Sequence, residues 1–141
     1  MSPRPAPPVF IIHGLSHGRA ALHAAQGRAL ILLSPAGAAG LQGVTWWLRL
    51  LAQLRQEFPD NAMIGALDCA DCCGWALAAL RLGVDRVILN GSGPAFWAVQ
   101  RAAEQKGAWG EGRWGSDAHD LLGFSDPGLT CRDIFERGPS V

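Results

Sequence analysis

The chain has 141 residues, 12 Lys plus Arg against 12 Asp plus Glu, and a hydrophobic fraction of 49%. That length suits one domain able to bury about two-thirds of its unfolded surface without a disulfide or metal. The basic residues form no run, which removes the electrostatic footprint of a nucleic-acid binder, and no apolar stretch reaches the ~18 residues of a membrane span.

The first eight residues, Met1-Ser2-Pro3-Arg4-Pro5-Ala6-Pro7-Pro8, form a proline-rich leader. They lack the apolar core and cleavage site of a signal peptide, so the chain reads as cytoplasmic. Val9-Phe10-Ile11-Ile12-His13 is an apolar run of strand type. Ser16 is placed to cap a helix through about Gln26, with Gly27 as its stop. Ala29 to Leu33 is a second buried-strand run. Val44, Trp47, Leu48, Leu51, Leu54 and Phe58 then recur at the spacing of one helical face, begun by Gly43 or Thr45 and ended by Pro59-Asp60-Asn61.

Ala62 to Leu67 makes a third strand. Trp75 to Leu82 is apolar nearly all round, which predicts a helix packed on both sides and stopped by Gly83. Val84 to Leu89 is a fourth strand. Pro94 sits in the first turn of the next helix, after Ser92 or Gly93 as cap, and that helix runs to Lys106.

Strands alternating with helices predict parallel pairing and right-handed crossovers. Apolar rather than alternating strands predict a sheet covered on both faces. The fold class is therefore α/β: an open, mostly parallel sheet of four to five strands with helices on both faces, flavodoxin-like. Half of a (βα)8 barrel, completed by dimerisation, is the alternative.

Residues 1–107 form this core. Residues 108–141 are an irregular, tryptophan-rich extension of the same domain. In it, Ala108 to Trp114 is at most a weak edge strand, because Gly110 and Gly112 interrupt it. Gly115 to Leu129 reads as loop, and Thr130 opens a short helix ending at Gly138. Trp109, Trp114, Leu121, Leu122, Phe124, Ile134 and Phe135 are too apolar for a free tail and should dock on the body or on a partner.

Three loops follow strands on one edge of the expected sheet: Ser34 to Gly40, Asp68 to Gly74, and Asn90 to Pro94. In open α/β sheets ligands bind outside the carboxyl ends of the strands. The loops match no standard motif. A Walker loop needs Lys and Ser or Thr where Val44-Thr45 stands, a dinucleotide fingerprint needs glycine where Phe96 stands, and Ser92 has Asn90 and Pro94 where a nucleophile elbow has glycines. The single lysine, Lys106, lies at the far end of its helix, which excludes Schiff-base chemistry at this edge. Helix N-termini can still hold an anion through backbone N–H groups.

Among the side chains, Asp68 leaves its strand directly and can accept a proton or position a hydroxyl group. His13 leaves the first strand at the same edge. Asp71 reads as a helix cap. Cys69, Cys72 and Cys73 offer one C-x-x-C without the second pair a structural zinc site needs, so they read as free thiols in a turn and no metal site is assigned.

Leu67-Asp68-Cys69 and the run Ala78 to Leu89, within the βα rhythm of residues 28–107, resemble small bacterial (βα)-repeat proteins, both flavodoxin-like domains and barrel fragments. The likeness is to a general pattern and carries no catalytic role to any residue. The candidate site is therefore Asp68, Ser92 and His13 as acting groups, with Gly37, Asn90, Gly91 and Gly93 holding a small anion or phosphate and the cofactor unknown. A non-catalytic accessory or assembly subunit is the alternative function. With only 17% charged residues, little repulsion opposes a homo-oligomer or a protein partner.

Overall fold

The computed structural model describes residues 6–138. The first five residues of the leader and the last three of the extension lie outside them. Five strands are present among the described residues: β1 (Val9–Ile11), β2 (Leu30–Leu33), β3 (Met63–Asp68), β4 (Arg86–Ile88) and β5 (His119–Asp120). The helices are α1 (Leu15–Ala25), α2 (Ala38–Leu41), α3 (Val44–Glu57), α4 (Cys73–Leu82), α5 (Pro94–Gln105), α6 (Arg113–Asp117) and α7 (Pro127–Arg137). The strands make one open, all-parallel sheet in the order β4-β3-β2-β1-β5, so the expected α/β architecture is the one that forms. β5 lies beside β1 rather than beyond β4, which departs from the sequential order of a half-barrel.

Successive side chains of a strand point to opposite faces, and the two faces are covered unequally. Phe10, Leu30, Leu32, Leu67 and Val87 join α1 to α5 and α7 in the main core, built on Trp47, Leu51 and Leu54 of α3. On the other face Val9, Ile31, Leu33 and Ala66 are covered by Trp114 of α6, with Ala118 beside it. Gly65 explains how closely α3 approaches: a Cβ there would lie 2.0 Å from a Leu51 methyl carbon.

The C-terminal extension is more ordered than its composition suggests. The weak edge strand expected near Trp109 is one parallel bridge from Trp109 to Val87. Gly110 fits there because a Cβ would meet Ile88 and the Val87 carbonyl. The stretch expected to be loop holds the end of α6, then β5, a single 3-10 turn (Leu121–Gly123) and the start of α7. β5 escapes sequence reading because it is two polar residues long, with no apolar run. α7 lies against α1 with Cys131 buried, while Leu121 of the 3-10 turn, which contacts β1, is buried as well; the Phe135 ring is 5.7 Å from that of Phe10.

Several helix starts differ from the expected ones. α1 is preceded by Gly14, not Ser16, and α4 by Cys72, not Asp71. α7 is capped by Asp126, whose carboxylate accepts the Leu129 N–H, and so begins three residues before Thr130. α4 buries only Ala76, Ala79 and Leu80, leaving Trp75, Leu77 and Leu82 exposed instead of packed on both sides.

Candidate functional site at the carboxyl edge of the sheet

Parallel pairing puts the ends of all five strands on one edge, and backbone hydrogen bonds continue the strands into the loops beyond them. Ser34 N–H donates to Ala66 O, Cys69 N–H to Ile88 O, and Asn90 N–H to Ala70 O at 2.8 Å. The Ser34, Asp68 and Asn90 loops are thus neighbours, in the order of their strands. His13 leaves β1 and Asp68 ends β3, with β2 between them; two strand spacings separate them by about 10 Å.

Asp68 is the clip between the first two loops. Its Oδ1 accepts the Gly37 N–H at 3.0 Å and the Ala70 N–H at 2.8 Å. Its own N–H donates to the buried Ser34 hydroxyl at 2.9 Å. The second bond holds Ala70 at φ 52°, a left-handed conformation that a β-carbon disfavours. Oδ2 meets no donor among the described residues. Gly37 supplies the left-handed turn at φ 68°, and its amide is already taken by Asp68.

A second cluster forms where the strand order reverses, between β1 and β5. His13 Nε2 lies 2.8 Å from Asp120 Oδ1, and the same oxygen accepts the Leu122 N–H at 3.0 Å. His17, one turn into α1, accepts the His13 backbone N–H on Nδ1 at 3.1 Å. Its neutral ring therefore carries its proton on Nε2. Burial, and then the neighbouring His13, push the His17 pKa below 6.5, against the pull of Asp120. Burial raises the Asp120 pKa, but the Leu122 amide and His13 outweigh it and leave the carboxyl below 3.8. Sequence reading named His13 and missed Asp120, because nothing in Ala118-His119-Asp120 announces a strand beside β1.

Asp68 pairs with Ile88 and Asp120 with Ile11, and both isoleucines pack on the lightly covered face. The two carboxylates therefore rise from the same side of the sheet. Ser92, Asn90, Gly91 and Gly93 form the turn into α5, with Gly91 at φ 136° and Gly93 at φ 96°. Asn90, Gly91 and Ser92 are exposed. The amides of Ser92, Gly93, Ala95 and Phe96 meet no backbone acceptor among the described residues.

The helix N-termini at this edge share a property. α1, α4 and α5 begin after Gly14, Cys72 and Gly93, none with a side-chain cap, and no first turn carries an acidic residue. α7, which follows β5, is instead capped by the Asp126 carboxylate. Uncapped first turns concentrate positive potential.

The cysteines are free thiols, Cys69 and Cys131 buried, Cys72 and Cys73 partly so. Burial, with Asp68 and Cys72 adding to it, pushes the Cys69 thiol up to about 12; burial alone takes Cys131 to about 11. Neither supplies a thiolate at neutral pH. Two open clefts lie elsewhere. One of about 340 Å³ sits between α1 and α7, lined by His23, Asp126 and Arg132. One of about 310 Å³ lies where α1 and α3 end, lined by Gln26, Glu57 and Asn61. No protein-family model and no curated protein matches the chain. Fold and site together define an open parallel α/β domain with uncapped helix N-termini and a His–Asp pair along one sheet edge.

Proposed function

We propose that the protein binds a small ligand bearing a phosphate or carboxylate at the carboxyl edge of its sheet. The observation that carries this reading is the set of uncapped, acid-free helix N-termini there, α5 above all. The anion sits on the Asn90 to Gly93 turn and the first turn of α5, where backbone N–H groups point out of a glycine-rich bend. Asp68, Ser92 and His13 face the remainder of the ligand, Asp68 through Oδ2 and His13 as an acid or base oriented by Asp120. The two carboxylates oppose an anion less than their formal charge suggests, because Asp68 accepts two N–H groups and Asp120 is paired with His13.

Thermal unfolding in the presence of inorganic phosphate, and then of small phosphorylated and carboxylated metabolites, tests the proposal. A ligand at a hundred times its dissociation constant adds about 2.7 kcal/mol of stability. Ala95→Glu places a carboxylate in the exposed first turn of α5, where it favours the helix by about 0.3–1 kcal/mol yet competes with an anion. The expected result is a fold at least as stable that no longer responds to the ligand. A native protein unmoved by every anion, or an A95E variant that responds as the native chain does, refutes the site.

A further inference from the structure

The outer face of α4 is unusual for a helix on a protein surface. Gly74, Ala78 and Arg81 form its central stripe, with Trp75 and Leu82 on one flank and Leu77 on the other. Trp75 is 39% exposed, Leu77 38% and Leu82 55%. Leu41 of α2, 82% exposed, and Trp97 of α5, 55% exposed, extend the apolar surface on either side. α4 lies between those two helices, and the Trp75 indole lies against Gly40 of α2. A Cβ at Gly74 would meet nothing closer than a sulfur at 3.9 Å, so the middle of the stripe is open.

We infer that this face is the two-fold interface of a homodimer, with α4 packed antiparallel on α4 of a second copy. The pattern is self-complementary about the level of residue 76. An antiparallel pairing centred there sets Gly74 against Ala78 of the mate, in both directions. The small residues let the helix axes approach to about 8 Å. On the flanks Trp75 meets its own symmetry mate, and so does Leu77. At each end exposed Asp71 faces exposed Arg81 of the other copy. Neither makes an ion pair within the chain among the described residues. One helix thus supplies both halves of the contact, as an isologous interface requires, and opposite charge at its ends fixes the antiparallel sense.

Sedimentation equilibrium on the full chain tests this. At about 100 µM, a hundred times a micromolar dissociation constant, the expected mass is twice the chain's 15.0 kDa. Ala78→Glu places a charge at the centre of the contact and is expected to give a monomer with an unchanged circular dichroism spectrum. Asp71→Arg and Arg81→Asp should each raise the dissociation constant about tenfold, and the double swap should restore it. Because Asp71 precedes α4 and Arg81 lies in its last turn, about 12 Å of helix stands between them, and rescue reports contact between copies. Should A78E fail to fold, the charge-swap series decides. A monomeric native chain, an oligomer indifferent to these changes, or a double swap no better than the single ones overturns the inference.

Discussion

Replacing Asp68 by alanine removes the acceptor of two amide N–H groups at once, those of Gly37 and Ala70. A hydrogen bond to a charged group contributes about 1.5–3 kcal/mol. Asp68 is only partly buried, so water replaces some of what is lost and the low end applies. The expected cost of D68A is about 2–4 kcal/mol, after the strain relieved at left-handed Ala70 is set against the lost hydrogen bonds. For a domain of this length that lowers the unfolding midpoint by roughly 8–16 °C. Asp68→Asn keeps an oxygen in the Oδ1 position and should cost less, about 1–2 kcal/mol. Urea unfolding of the three proteins measures both values. A D68A variant within about 0.5 kcal/mol of the native chain refutes the claim that this carboxylate clips the β2 and β3 loops together. D68N also separates structure from function: if Oδ2 faces ligand, this variant folds and loses the ligand-dependent rise in midpoint.

Three further outcomes follow from named contacts. His17 is held neutral in the fold, so the unfolded chain takes up its proton more readily. Its contribution to stability is complete above pH 6.5 and is lost as pH falls below that value; the urea midpoint of His17→Gln should be flatter across that window. Glu57, held at about 2 chiefly by its hydrogen bond from Arg19, loses its contribution only between pH 4.5 and about 2, so the two effects separate. Gly65→Ala should cost about 1–3 kcal/mol by driving β3 against Leu51, and thermal melts that match the native chain would contradict that packing. Cys72 and Cys73 should react with iodoacetamide at pH 8 in the folded protein, whereas Cys69 and Cys131 should react only on denaturation; peptide mass mapping of the alkylated sites decides.

Within residues 9–107 the four strands and the four long helices were legible, because each strand is a short run holding apolar residues and each helix ends on a glycine or near a proline; α2, one turn inside the stretch Ser34 to Gly40 read as loop, was not. From that rhythm the parallel sheet followed, and with it the edge carrying Asp68, His13 and the Asn90 to Gly93 turn. Sequence also placed Lys106 away from that edge, since a helix has two ends and its loops mark which is which.

Tertiary structure alone decided three things. β5 returns to β1, which brings Asp120 to His13 across 107 residues of chain; no local pattern encodes a two-residue strand whose pairing is its only reason to be extended. The Asp68 carboxylate is engaged by amides of two loops, a role set by where β2 ends and not by the residue type. The outward face of α4 was hidden in a run of apolar residues, because hydrophobicity says that a side chain prefers burial while only packing settles which of them finds it.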